Sequence, residues 1–140
     1  MFLDFKKLKK IYLDKLKKVF EIFTNADIPI IFHSDGNIYE IIEDLLDLGV
    51  NCLNPIEPYS MDYRNLKKRF GKDLTIMGNI DISLLSNGNP EAIRKDIEEH
   101  MEICKTGYRY ICASSHSIRN DVPNENIVAF FDSVHKSGLY

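Results

Sequence analysis

Apolar residues fall along this chain in two alternating rhythms. Phe5, Leu8, Tyr12, Leu16, Val19 and Phe23 recur at three- and four-residue steps, with lysines mostly between them. That spacing predicts an amphipathic leading helix within residues 1–26, its lysines forming a solvated face. Residues 28–34 (IPIIFHS) then form a short, β-branched run, the pattern of a strand buried on both faces. Asn37 with Glu40 three positions on reads as a capping box. The stripe Ile38, Ile41, Ile42, Leu45 and Leu46 behind it predicts a helix that Gly49 stops. Residues 52–56 (CLNPI) read as a second strand, broken where Pro55 begins its loop. A short helix over 61–70 ends at Gly71, and 74–80 (LTIMGNI) is the third strand. Asn89-Pro90 is a cap followed by an N1 proline, opening a helix that runs to Lys105. Residues 108–115 (YRYICASS) are the fourth strand, and Asn124 opens a last helix to Lys136.

Strand then helix, four times over, predicts parallel βα units joined by right-handed crossovers. The four units occupy residues 28–137, about 27 residues each, so eight would need about 220, near the roughly 250 of a (β/α)8 barrel. The expected architecture is α/β: a parallel (βα)4 segment, half a barrel in length, in a single domain over 1–140. An open four-stranded sheet of the flavodoxin kind fits the same pattern. It is disfavoured because no glycine-rich phosphate loop follows the first strand.

Composition narrows the function classes. The 140 residues are 44% hydrophobic and 28% charged with a net charge of −3, an ordinary globular balance. No run approaches the roughly 20 apolar residues of a membrane span. Cys52, Cys104 and Cys112 are widely spaced without a CxxC pair, so they read as buried thiols in a reducing, cytoplasmic setting. The first 20 residues hold seven Lys against two Asp, a net of +5. Without a basic stripe interleaved with aromatics, that excess points to a solvated helix face, not to nucleic acid or membrane.

In parallel α/β folds the reactive groups gather at the carboxyl ends of the strands. Here those ends read His33-Ser34-Asp35-Gly36, Asn54-Pro55-Ile56-Glu57, Gly78-Asn79-Ile80-Asp81 and Ser114-Ser115-His116-Ser117. His33 and Asp35 are two apart and project to one side. With His116 they form a ligand set suited to zinc or non-haem iron, or a hydrogen-bonding cradle for substrate carboxylates. The expected catalytic residues are His33, His116 and Glu57. Asn54, Gly78, Asn79, Asp81 and Ser115 are expected to bind substrate. Elemental analysis would then find near-stoichiometric metal, lost on replacing His33 with Ala. His100 and His135 fall inside helices and read as surface residues.

The strings IIFHSDGN, NPIEPYSMD, LKKRFGKDLTIMGNID and YICASSHSIRNDVPNENI resemble the C-terminal half of the uroporphyrinogen decarboxylase superfamily over nearly the whole chain. The resemblance implies a (β/α)8 barrel with its site at the C-terminal rim, the four strands here being its last four. It implies membership of a group that holds the haem-pathway decarboxylase and methyltransferases working with corrinoid or coenzyme M. In the methyltransferase branch a His-x-Cys element and a later Cys hold zinc; this chain has His33, Asp35 and His116 in those places. In the decarboxylase a Gly-His-Gly element contacts substrate, and His116 falls there between Ser115 and Ser117. The decarboxylase's catalytic Asp and its substrate-binding arginines belong to the half this sequence lacks. The resemblance therefore implies metal-assisted methyl transfer with a corrinoid-bearing protein partner, zinc being the metal. Cofactor-free decarboxylation of a tetrapyrrole is the alternative. A third reading is a non-catalytic fragment or subunit that needs an N-terminal half or a second copy of itself.

Overall fold

The computed structural model describes residues 5–139; the side chains of Phe5 and Leu8 lie outside the described residues. Helix α1 (Phe5–Thr24) leads into strand β1 (Ile30–Ser34). A 3-10 turn (Tyr39–Ile41) runs into α2 (Ile42–Asp47), followed by β2 (Val50–Pro55) and α3 (Tyr63–Phe70). Then come β3 (Thr75–Ile80), α4 (Ile82–Asn87), α5 (Pro90–Cys104), β4 (Tyr110–Ser114) and α6 (Asn124–Ser137). The four strands are all parallel and stand in the order β1-β2-β3-β4. An unreversed order is that of consecutive barrel units; a doubly wound sheet reverses at its switch point. The half-barrel expectation therefore holds over the open flavodoxin-like sheet.

Local chemistry explains most element starts. Asp62 accepts from Arg64 N at 2.9 Å to open α3, and Asn89 accepts from Ala92 N at 2.9 Å to open α5 behind Pro90. Asp81 accepts from Ser83 N at 2.8 Å and opens α4, a one-and-a-half-turn helix that hydrophobic periodicity is too short to reveal. Asn37 departs from the capping-box expectation. Its Oδ1 takes Tyr39 N at 3.2 Å, which tightens the chain into the 3-10 turn and delays α2 to Ile42.

The core fills the layer between sheet and helices, with Ile42, Leu66, Ile80, Leu85, Ile93 and Ile97 fully buried. Strand β1 is not buried on both faces as its run suggests. Ile30 and Phe32 face the helices, while Ile31 between them is 56% exposed, because none of the described residues covers it from the other side of the sheet. The leading stripe is corrected in the same way. Leu16 and Phe20 pack inward, Phe20 edge-on to Phe32 at 6.4 Å, whereas Tyr12, Val19 and Phe23 stay exposed. Among the described residues no helix is long and apolar enough to cross a membrane.

The three cysteines are free thiols. Burial pushes Cys52 and Cys112 up to about 11 and Cys104 up to about 12. Unfolded thiols ionise near 9, so between pH 9 and 11 the unfolded chain binds fewer protons than the folded one. Stability is thus expected to be unaffected by the thiols below pH 9 and to fall as pH rises through that window. Thermal melts from pH 8 to 11 check this, and a transition temperature that does not fall above pH 9 would count against it.

Candidate active site at the carboxyl ends of the strands

The strands deliver their polar residues to one rim. His33 on β1 sits with Nδ1 2.7 Å from Asn54 Oδ1 on the neighbouring β2. Asn54 Nδ2 donates to Met77 O at 3.2 Å, which fixes the amide so that its oxygen faces the imidazole. Nδ1 of His33 is therefore the donor, and in the neutral ring Nε2 is a lone pair. That nitrogen faces Asp35 Oδ1 at 3.5 Å, as the two-residue spacing predicts. His116, beyond β4, brings Nε2 to 3.9 Å from the same Asp35 oxygen and 3.8 Å from Glu57 Oε2. The ligand atoms of Asp35, Glu57 and His116 all lie within 4.8 Å of one another, and His33 reaches this trio through Asp35.

Acceptors outnumber donors at this rim. His33, Asp35 and His116 are each about half exposed, but Glu57 is only 16% exposed. Glu57 Oε2 is buried and has no hydrogen-bond partner. A carboxylate oxygen out of water without a donor is costly, and a proton or a metal cation beside it relieves the cost. Among the described residues, the guanidiniums of Arg64 and Arg119 pair elsewhere, with Glu99 and Asp121. Two carboxylate oxygens and an imidazole nitrogen suit zinc, manganese or ferrous iron. The donor set fits such an ion.

The remaining expected residues are placed as follows. Gly78 brings its backbone against β2: a Cβ there would lie 2.0 Å from Pro55 O, and its φ is +135°. Asn54 orients His33, as described. Asp81 caps α4 and also accepts from Tyr59 Oη at 2.9 Å. Ser115 is buried, its Oγ accepting from Ile82 N at 3.1 Å. Asn79 is buried too, with Nδ2 donating to Ile56 O at 2.7 Å and Oδ1 2.9 Å from His100 Nε2. His100 corrects the surface reading, since it is 5% exposed, while His135 is exposed as expected. The signal was in the spacing: His100 continues the buried stripe Ile93, Ile97, Met101 and Cys104.

Comparison with known proteins gives the family. The sequence profile of the family described as uroporphyrinogen decarboxylase matches residues 2–137. The chain belongs to the uroporphyrinogen decarboxylase family. A Psychromonas ingrahamii protein named uroporphyrinogen decarboxylase is 27% identical over 138 residues, 97% of this chain and 38% of its own length. One of the same name from Aliivibrio salmonicida is 33% identical over 107 residues, 76% of this chain and 29% of the relative. Another from Pseudoalteromonas translucida is 32% identical over 78 residues, 56% and 22% of the two lengths. The chain spans less than two fifths of the length of these relatives. As a member of the uroporphyrinogen decarboxylase family it presents a four-stranded part of that fold.

Proposed function

We propose that this chain supplies the C-terminal rim of a uroporphyrinogen-decarboxylase-like enzyme whose reaction is metal-assisted methyl transfer involving a corrinoid-bearing partner. One observation carries the metal: Glu57, whose Oε2 is buried and without a hydrogen-bond partner, has its ligand atom within 4.8 Å of those of Asp35 and His116. The methyl-transfer assignment itself rests on the resemblance of the His33-x-Asp35 and His116 elements to the methyltransferase branch. In this reading Asp35, Glu57 and His116 hold a divalent ion, which when bound supplies Lewis-acid polarisation or a lowered pKa in the attacking group. Asn54 keeps the His33 proton on Nδ1, so that Nε2 is available beside Asp35 as a ligand or proton acceptor. Asp35, opposite both His33 and His116, orients the two imidazoles toward one point. Further strands complete the barrel, contributed by an N-terminal half of the fold or by a second copy.

Decarboxylation of a tetrapyrrole is the second reading, favoured by the names of the relatives. The buried, unpartnered Glu57 carboxylate oxygen beside Asp35 and His116 favours the metal-assisted reading over it.

Equilibrium dialysis of the chain against zinc, manganese and ferrous iron separates the readings. One equivalent is expected to bind. Glu57→Gln and Asp35→Asn are each expected to weaken binding by more than the roughly 10- to 100-fold lost with an outer-shell partner. Glu43→Gln, on α2, is expected to change nothing. Absence of binding, with uroporphyrinogen turned over once an N-terminal half is added, would establish the second reading instead.

A further inference from the structure

His100 lies behind the rim on the buried face of α5, its ring stacked on Tyr63 of α3 at 4.0 Å and 18°. Both of its ring nitrogens face oxygen. Nδ1 is 2.8 Å from the main-chain oxygen of Asp96, and Nε2 is 2.9 Å from Asn79 Oδ1. A main-chain carbonyl only accepts. Asn79 cannot offer its nitrogen to the ring instead, because Nδ2 donates to Ile56 O at 2.7 Å and turning the amide would set two oxygens face to face there. Every neutral form of the ring thus leaves one pair of acceptors in contact below 3 Å, on side chains of His100 and Asn79 that are both buried.

We infer that His100 carries both ring protons, and that this buried imidazolium is a positioning residue that fixes Asn79 and, through the Ile56 carbonyl, the backbone presenting Glu57 to the rim.

The surroundings suit a cation. Asp96 Oδ2 lies 3.4 Å from Nδ1, is buried, and has no hydrogen-bond partner. Burial pushes the Asp96 carboxyl up, and His100 is the first influence opposing that rise. The face of Tyr63 adds a cation–π contact. Arg64 also lies over Tyr63, at 4.5 Å, and is neutralised by Glu99. The clamp has something to hold. Ile56 adopts φ +60°, which a β-branched residue keeps only when its surroundings impose it. The positioning role rests on the rim reading given above, since it matters only through Glu57; the protonation does not.

Long-range 1H–15N NMR of the labelled chain at pH 7 tests the first half. Two exchange-protected ring protons are expected on His100, with both nitrogens at imidazolium shifts; one proton and one unprotonated nitrogen would overturn it. The ring signals of His116, whose Nε2 is 3.8 Å from Glu57, report the second half without any metal. His100→Phe keeps the stack on Tyr63 but cannot donate, so it is expected to move the His116 signals and weaken zinc binding about tenfold. His100→Gln, able to donate to Asn79, is expected to restore both. Should the Phe variant fail to fold, Asn79→Asp keeps the acceptor for His100, lacks the donor for Ile56, and is expected to move the same signals. Unmoved His116 signals in a folded variant would refute positioning. Moved signals in a chain that binds none of zinc, manganese and ferrous iron would leave positioning standing and refute the rim reading.

Discussion

Gly78→Ala is expected to cost at least about 4 kcal/mol, enough to leave little folded protein from a domain of this size. Two effects add. The residue sits at φ +135°, where a side chain is strained, and an added Cβ would lie 2.0 Å from Pro55 O and 2.9 Å from Pro55 C. The clash is with backbone on a paired strand, so it is relieved only by parting β2 from β3. Gly107 separates the two contributions. It has φ +80° with nothing within 4 Å of an added Cβ, so Gly107→Ala pays the conformational term alone, about 1 kcal/mol. Urea denaturation of the two variants measures the difference. Equal losses would show that β2 and β3 are not held so closely.

Association is the second large effect. Expressed alone, the chain is expected to sediment at micromolar concentration as a dimer or a larger species, not at its 16.2 kDa mass. Among the described residues β1 pairs only with β2 and β4 only with β3, so each presents an open row of backbone groups. The uncovered sheet face exposes Ile31 and Ile111 by 56% and 46%, and α1 separately exposes Ile11, Val19 and Ile22. A closed barrel has neither edge nor open face. Burying such surface is favourable at about 25 cal/mol per Å², so a second copy or the missing half has much to gain by covering it. A compact monomer with a sharp thermal transition at low micromolar concentration would refute this.

Much of the architecture was legible in the residues because it depends on local period. Helix stripes, the Asn89-Pro90 start and the four apolar runs each declare themselves within a few positions, and the crossover rule then orders the strands. What was illegible depends on partners distant in the chain. The IPIIFHS run looks doubly buried because it belongs to a barrel interior; here Ile31 has no opposite wall. Asn126, fully buried and donating to Leu85 O at 2.9 Å and Gly88 O at 3.0 Å, reads in sequence as an ordinary polar residue of a helix start. At the site, strand ends foretold that His33, Asp35, Glu57 and His116 converge. They could not foretell that Asn79 and Ser115 turn to backbone groups beyond the ends of the preceding strands, or that His100 stands behind Asn79.

Diffraction from crystals of the chain grown with zinc, recorded across the zinc absorption edge, puts the rim to its most direct test. The account predicts one strong anomalous peak between Asp35, Glu57 and His116, with Glu57 Oε2 about 2.0–2.2 Å from it. Zinc bound elsewhere with that trio empty, or a rim whose Glu57 is satisfied by a proton alone, would contradict it.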